Sequence, residues 1–190
     1  MHELTNSYFD TLIDAMRDRG VEFASGLNIH EIETAEKTHN FRFPPDLRSF
    51  LMRALPIGKS FPDWRDPSSK LILGMLSWPA DSMCFDIEHD QFWLPDWGAR
   101  PNSLEFAFEK ARNAVSEAPF LIPVYGHRYM PADPCSTGNP IFSVYQTDII
   151  YYGFDLCSYL SNEFGVPNPF PTPDEPREIK FWSELERLNG

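Results

Sequence analysis

The sequence predicts an α+β fold: a single domain in which a central, mainly antiparallel sheet is flanked by helices. Its 190 residues are enough to bury a core that needs no disulfide bonds. Apolar residues recur at helical spacing through the first third of the chain, and short β-branched and aromatic runs follow, interrupted by further helical patterns. We expect residues 1–166 to form this domain. Residues 167–190 should add a Pro-rich arm and a C-terminal helix packed on it.

The first two helices have recognisable starts and ends. Apolar residues at helical spacing predict a helix over residues 7–19, which Gly20 ends. Asn28 can cap a second helix, and Glu31, three residues further on, can complete a capping box. We expect this second helix to end near Asn40.

The third helix begins at Pro45, which suits a first helical position because its missing N–H would have no partner there. The apolar residues that follow have the spacing of one buried helical stripe. They are Leu47, Phe50, Leu51, Ala54 and Leu55. We expect Phe50 and Leu51 to lie in the core.

The middle of the chain predicts elements of several kinds. A polar loop is expected over residues 56–70. The apolar run 71–78 predicts a strand. Residues 79–101, rich in turn formers and acids, predict an irregular segment in which a short helix or strand is an open alternative. A helix is then predicted over residues 102–115.

The β-rich part of the chain follows. Residues 120–125 predict one strand, and residues 140–153 predict two strands joined near Gln146-Thr147-Asp148. A helix is predicted over residues 154–164. The prolines of the arm exclude a helix or a central strand, so an extended conformation is expected there. A last helix is predicted over residues 179–188.

Charge is unevenly distributed along the chain, whose formal net charge is −12. Two long stretches, Leu71–Ala99 and Tyr129–Pro176, contain no Lys or Arg but hold eleven acids and fourteen of the 28 aromatic residues. A surface of this composition attracts a basic partner and repels nucleic acid. The basic residues are also too scattered to form a nucleic-acid footprint.

The candidate partner-binding residues are acids of the first stretch, the tryptophans that lie among charges and turn formers, and an acid beside one of these tryptophans. They are Trp64, Asp66, Asp86, Glu88, Asp90, Asp96 and Trp97. For Trp64 and Trp97, burial in the core and exposure at an interface are both open. For Trp78 and Trp93 the apolar surroundings favour the core.

Neither a metal nor a cofactor is expected. Residues 84–90 pack five potential ligands into seven positions, and on a strand Cys84, Asp86, Glu88 and Asp90 would share one face. The spacing nevertheless fits neither a zinc site nor a calcium-binding loop. Three widely spaced cysteines argue against a disulfide framework and for a reducing cytoplasm. The sequence shows no membrane span and no signal peptide, so we expect a cytoplasmic protein.

A catalytic role is the weaker interpretation. His127 could act as a general base and Arg128 could hold a carboxylate. No recognisable nucleophile accompanies them, so a local hydrogen bond for His127 and an ion pair of Arg128 with an acid such as Asp133 are favoured. We therefore expect no catalytic residues.

Part of the chain resembles the SUKH superfamily, which groups bacterial toxin-immunity proteins with fungal cell-wall regulators. The matching elements are Ile32-Glu33 and Glu36 in one helix, the run Phe43–Leu51, and the later run Pro140–Gly153. The resemblance covers roughly residues 28–165. It implies a single α+β domain and, in bacterial members, a non-catalytic protein that binds and neutralises a cognate toxin, often a nuclease.

Three functional hypotheses follow. The leading one is a protein-binding module, an immunity protein whose partner is a basic toxin domain. The second is a regulatory scaffold in cell-wall or stress signalling, as the fungal members imply. The third is a small-ligand binder or enzyme that uses His127, Arg128 and the tryptophans. For the leading hypothesis we expect a monomer or weak dimer.

Overall fold

The computed structural model describes residues 2–168 and 170–189, with side chains for residues 9–168 and 170–188. Met1, Pro169 and Gly190, which belong to the two predicted segments, lie outside the described residues. The described chain contains seven α-helices, one short 3-10 helix, and two antiparallel sheets of two and four strands. The predicted α+β fold of one domain is confirmed.

The N-terminal part forms three helices and a two-stranded sheet. Its elements are α1 (His2–Asp18), β1 (Glu22–Ser25), α2 (Ile29–His39), α3 (Pro45–Arg53) and β2 (Ala54–Ile57). The three predicted helices are confirmed, and the first is longer at its start. The two strands were not predicted. The apolar pattern of α3 runs on through Ala54 and Leu55, but these two residues already pair with β1.

The largest correction concerns residues 70–89. They form one helix, α4 (Lys70–His89), whereas the sequence predicted a strand and then an irregular segment. Pro79 lies inside this helix and has no N–H to donate to the Met75 carbonyl, four residues earlier. The Tyr129 hydroxyl donates to that carbonyl instead, at 2.8 Å. A residue distant in sequence thus satisfies a group that Pro79 would leave unpaired.

The C-terminal part builds the main sheet and its covering helices. A 3-10 helix, Pro95–Trp97, comes first, and the other elements are α5 (Leu104–Glu117), β3 (Leu121–Tyr125), β4 (Arg128–Pro131), β5 (Ile141–Tyr145), β6 (Asp148–Gly153), α6 (Leu156–Phe164) and α7 (Trp182–Asn189). Strands β3 to β6 pair in sequential order. The predicted β5–β6 hairpin is confirmed, and β4 is a four-residue strand that was not predicted.

The main sheet separates two hydrophobic cores. Neighbouring residues alternate between them: Ile122 and Met130 join the first core, and Leu121 and Tyr129 join the second. Helices α1, α2, α3 and α6 contribute to the first core, and α5 and α7 contribute to the second. Helix α4 contributes to both, with Ile72 in the first core and Met83, Cys84 and Ile87 in the second. Both faces of β3, β4 and β5 are therefore covered, which explains why these strands are apolar runs. The edge strand β6 alternates, with Ile149 buried and Ile150 exposed.

The described helices include none that combines the length and the apolar character needed to cross a bilayer.

Candidate functional site

The two stretches without Lys or Arg lie side by side in the fold. The indole Nε1 of Trp78 in α4 donates to the Val144 carbonyl of β5 at 2.9 Å. The Asp86 carboxylate accepts hydrogen bonds from the backbone N–H of Thr147 at 2.8 Å and from its hydroxyl at 2.6 Å. These contacts fix α4 against the β5–β6 hairpin, so one surface combines acids and aromatics from both stretches.

Helix α4 is apolar on two sides. Ile72, Met83 and Ile87 are fully buried. A second stripe, formed by Leu71, Trp78 and Phe85, remains 43%, 37% and 47% exposed. These three residues are seven positions apart, which places them on one flank of the helix at intervals of about two turns. The apolar residues of α4 therefore exceed what its core contacts use.

Neighbouring aromatic side chains extend this stripe. Tyr145, at the end of β5, is 56% exposed, and its ring centroid lies 6.5 Å from that of Trp78. The His89 ring stacks on Phe85 at 4.0 Å. We call the surface formed by Leu71, Trp78, Phe85, His89 and Tyr145 the α4 face.

Acids border the α4 face. Asp81 and Glu88 are exposed and lie three residues after Trp78 and Phe85, so each is a neighbour of the stripe on the helix surface. Asp148 is exposed and pairs with Tyr145 across the hairpin. Arg112 of α5 approaches Asp81 at 3.6 Å, in an exposed ion pair. Such a pair holds its charges only weakly in water.

Two of the residues predicted to bind a partner, Trp64 and Asp86, prove to be buried, which corrects that prediction for both. Trp64 is 1% exposed and packs edge-on against Phe43, with ring centroids 5.2 Å apart. The core alternative therefore holds for Trp64. Asp86 is 5% exposed, and its Oδ2 accepts both bonds from Thr147.

The other predicted residues are dispersed. Asp66 is exposed in the turn after Trp64, where its carbonyl accepts from the Ser69 N–H at 3.0 Å. Glu88 and Asp90 are exposed at the end of α4, and Asp96 is exposed in the 3-10 helix. Asp66 lies before the start of α4, whereas Glu88 and Asp90 lie at the other end of this 20-residue helix, which is about 30 Å long.

Trp97 is partly buried and packs on the second core. Its ring lies 5.0 Å from that of Trp93, which is also partly buried. Trp97 borders a cleft of about 570 Å³ between the 3-10 helix, α5 and the start of α7, and Lys110, Lys180 and Glu117 line the same cleft. Both cationic and anionic side chains line this cleft, so it does not favour a ligand of one sign of charge.

Sequence reasoning missed the α4 face because it treated residues 71–78 as a strand. Trp78 was expected in the core and is instead more than one third exposed. The signal that could have revealed the face is the seven-residue spacing of Leu71, Trp78 and Phe85, inside a stretch without bases. That spacing has meaning only if the segment is helical.

Arg128 forms an ion pair with a different acid from the one predicted. Its Nε lies 3.7 Å from Glu163 Oε2, its guanidinium stacks over the Tyr152 ring at 3.7 Å, and it donates to the Ser143 hydroxyl at 2.8 Å. Asp133 is exposed instead. For His127, burial first and the Arg128 charge second lower the pKa below its ordinary value. The His127 ring is therefore neutral at pH 7.

Residues 84–90 do not form the one-faced cluster that a strand would give. On a helix, Cys84 and Asp86 point into the protein while Glu88 and Asp90 point outward. Within the part of the chain that the structure describes, no group of three or more His, Cys, Asp or Glu side chains is placed to hold a metal ion.

Comparison with known proteins gives no relative: no family model, no curated protein and no solved structure matches this chain. The resemblance to the SUKH superfamily therefore remains a hypothesis that rests on the residues quoted for it.

Proposed function

We propose that this protein is a non-catalytic binding module that docks a basic protein partner on the α4 face. One observation carries the proposal: an exposed apolar and aromatic stripe lies where two stretches without Lys or Arg meet. Each feature alone is common on protein surfaces. Their coincidence on one helix flank matches a protein interface, with aromatic anchors at the centre and charges at the rim.

The apolar stripe and the acids have different roles in this proposal. Leu71, Trp78 and Phe85 would supply affinity, because burying them removes apolar surface from water. Asp81, Glu88 and Asp148 would mainly attract the partner and orient its approach, since exposed charges affect association more than dissociation. The partner is therefore expected to present an apolar patch with Lys and Arg around it.

The resemblance to SUKH proteins suggests what the partner is. A bacterial immunity protein neutralises a toxin, and a nuclease toxin carries basic surface where it meets phosphate. An acid-bordered face suits such a target. A regulatory scaffold could use the same face for a host protein, so the identity of the partner distinguishes these two functions.

The test compares two matched variants. Phe85→Ala removes an aromatic ring from the α4 face, and Phe106→Ala removes a ring that is 61% exposed on α5. Each variant and the parent are used as bait, against cell lysate and against the purified product of the neighbouring gene. We expect a partner that the parent and Phe106→Ala retain, that Phe85→Ala loses, and that salt releases.

Equal retention by all three baits would refute docking on the α4 face. Equal loss of the partner by Phe85→Ala and Phe106→Ala would also contradict docking on the α4 face, because the ring on α5 would then contribute as much to binding. If the captured partner is a toxin-like neighbour, the immunity function is favoured. If it is an unrelated host protein, the scaffold function is favoured.

A further inference from the structure

A cleft of about 380 Å³ lies within the α4 face, between α4 and the turn that joins β3 to β4. Leu71, Gly74 and Trp78 form its α4 side. Gly126 and His127 form the opposite side, and Tyr129 also lines it. The cleft thus opens beside two of the three residues of the exposed stripe.

Gly74 is the unusual feature of this cleft. A glycine inside a helix weakens the helix relative to alanine, so it usually has a packing reason. Gly26 and Gly153 have one, because an added Cβ would lie 1.9 Å from the Met52 carbonyl oxygen and 2.4 Å from the Tyr159 Cβ, respectively. At Gly74, apart from the two neighbouring residues and the backbone of its own helix, no described atom would lie within 4 Å of an added Cβ. Packing within the chain does not require this glycine.

Because Gly74 has no side chain, it leaves open space at the surface of α4. Gly74 lies between Leu71 and Trp78 on the helix, and any larger residue there would project into the cleft. Gly126 is also free of atoms around the position of a Cβ. Two glycines therefore keep the cleft open and expose helix backbone to a bound group.

The lining indicates which group fits. It is mainly apolar and aromatic, with no acid among the described residues that form it, and Lys70 also lines it. A cationic group would meet Lys70 without a carboxylate to balance its charge. The Tyr129 hydroxyl already donates to the Met75 carbonyl, and the His127 ring is neutral at pH 7, as its lowered pKa indicates. A neutral apolar or aromatic side chain suits these walls.

We infer that the Gly74 cleft is a binding pocket for an uncharged apolar or aromatic side chain, the anchor of the basic partner. The inference rests on the proposed docking at the α4 face. In this arrangement the partner's bases pair with the rim acids, while its anchor inserts between Leu71, Trp78 and His127.

The test uses side-chain probes, so it needs no identified partner. N-acetyl-tyrosinamide, N-acetyl-leucinamide and N-acetyl-argininamide are titrated into the full-length protein, and binding is followed by NMR. The reporters are the backbone amides of Gly74 and Gly126 and the indole N–H of Trp78. We expect saturable shifts at these reporters with the tyrosine and leucine probes, and weaker or no shifts with the arginine probe.

Variants at position 74 make the test specific. Gly74→Leu should weaken binding of the tyrosine probe at least about tenfold, because its side chain fills the cleft. Gly74→Ala should raise the melting temperature by about 2–4 °C, because alanine favours the helix and meets no clash. Leu73→Ala, an exposed α4 position outside the cleft, is the control and should leave probe binding unchanged.

Several outcomes would overturn the inference. These are no saturable shift with any probe, unchanged binding in Gly74→Leu, or tightest binding of the arginine probe. Failure here is distinguishable from failure of the proposed function. If the probes do not bind while Phe85→Ala still loses the partner, the pocket is refuted and the face stands. If the probes bind but Phe85→Ala retains the partner, the pocket is real but does not anchor a partner on this face.

Discussion

Trp64 and Trp78 occupy opposite environments, and each is the reverse of what its neighbours in sequence suggest. Trp64 lies among Asp63, Arg65 and Asp66, yet it is fully buried against Phe41 and Phe43. Trp78 follows an apolar run, yet more than one third of it is exposed. Sequence neighbours report local polarity, whereas burial depends on which distant elements pack on a residue.

The helices α3 and α4 differ in the same way. Helix α3 buries its apolar stripe, including Phe50 and Leu51, and its pattern was interpreted correctly. Helix α4 buries one stripe and exposes another. An apolar stripe that the core does not use costs solubility, which makes it a candidate for binding. Substitutions can test whether the buried stripe of α3 stabilises the fold and whether the exposed stripe of α4 binds a partner.

The largest effect is expected in the first core. Trp64→Ala should lower the free energy of unfolding by about 3–5 kcal/mol, because it leaves a large cavity among Phe41, Phe43 and Leu47. Urea denaturation followed by circular dichroism measures this change. A loss below about 1 kcal/mol would mean that Trp64 is not packed as described and would weaken the contrast with α4.

The next effect is on binding. Phe85→Ala should weaken partner affinity by about 2–4 kcal/mol, because Phe85 is expected to be an interface anchor. The free energy of unfolding should change by less than about 1 kcal/mol, since the ring is half exposed. Calorimetric titration and urea denaturation on the same preparation separate the two quantities. A large loss of stability with unchanged affinity would mean that Phe85 supports the fold and does not contact the partner.

A smaller effect on stability is expected at the contact between α4 and the hairpin. Asp86→Ala should cost about 1–3 kcal/mol, because the partly buried N–H and hydroxyl of Thr147 lose the carboxylate that accepts their hydrogen bonds. Glu88→Ala, two residues further along the same helix and exposed, is the control and should stay within about 0.5 kcal/mol. Similar costs for both variants would argue against the described role of Asp86.

The smallest effect is expected from the rim charges. Replacing Asp81, Glu88 and Asp148 by their amides should slow association by up to about tenfold at low salt and change dissociation little. The difference should shrink above physiological salt, where the Debye length falls below about 8 Å. Stopped-flow association rates at two salt concentrations measure it. Equal rates for variant and parent at low salt would place the docking site elsewhere.

Local signals were sufficient for part of the fold. The Asn28 side chain accepts from the Glu31 N–H at 2.9 Å, and the Glu31 carboxylate accepts from the Asn28 N–H at 2.7 Å, so the start of α2 is fixed by residues three apart. The β5–β6 hairpin likewise joins two runs that are adjacent in sequence. Features of this kind are predictable because all their partners lie within a few residues.

The remainder depends on distant residues. Pro79 is accommodated inside α4 with the help of the hydroxyl of Tyr129, fifty residues later. The four-residue strands β1 and β2 exist because they pair with each other across α2 and α3. For the candidate site, the sequence located the base-free stretches correctly, but not their meeting at the α4 face, which depends on the bonds of Trp78 and Asp86 to the hairpin.

Hydrogen–deuterium exchange with and without the captured partner tests docking on the α4 face most directly. We predict that binding slows exchange in peptides that cover residues 71–89 and 143–150, which form the α4 face and its hairpin border. Peptides that cover residues 92–117, around the Trp97 cleft, should exchange at unchanged rates. Protection confined to residues 92–117, with α4 unaffected, would contradict the account and move the partner to the Trp97 cleft.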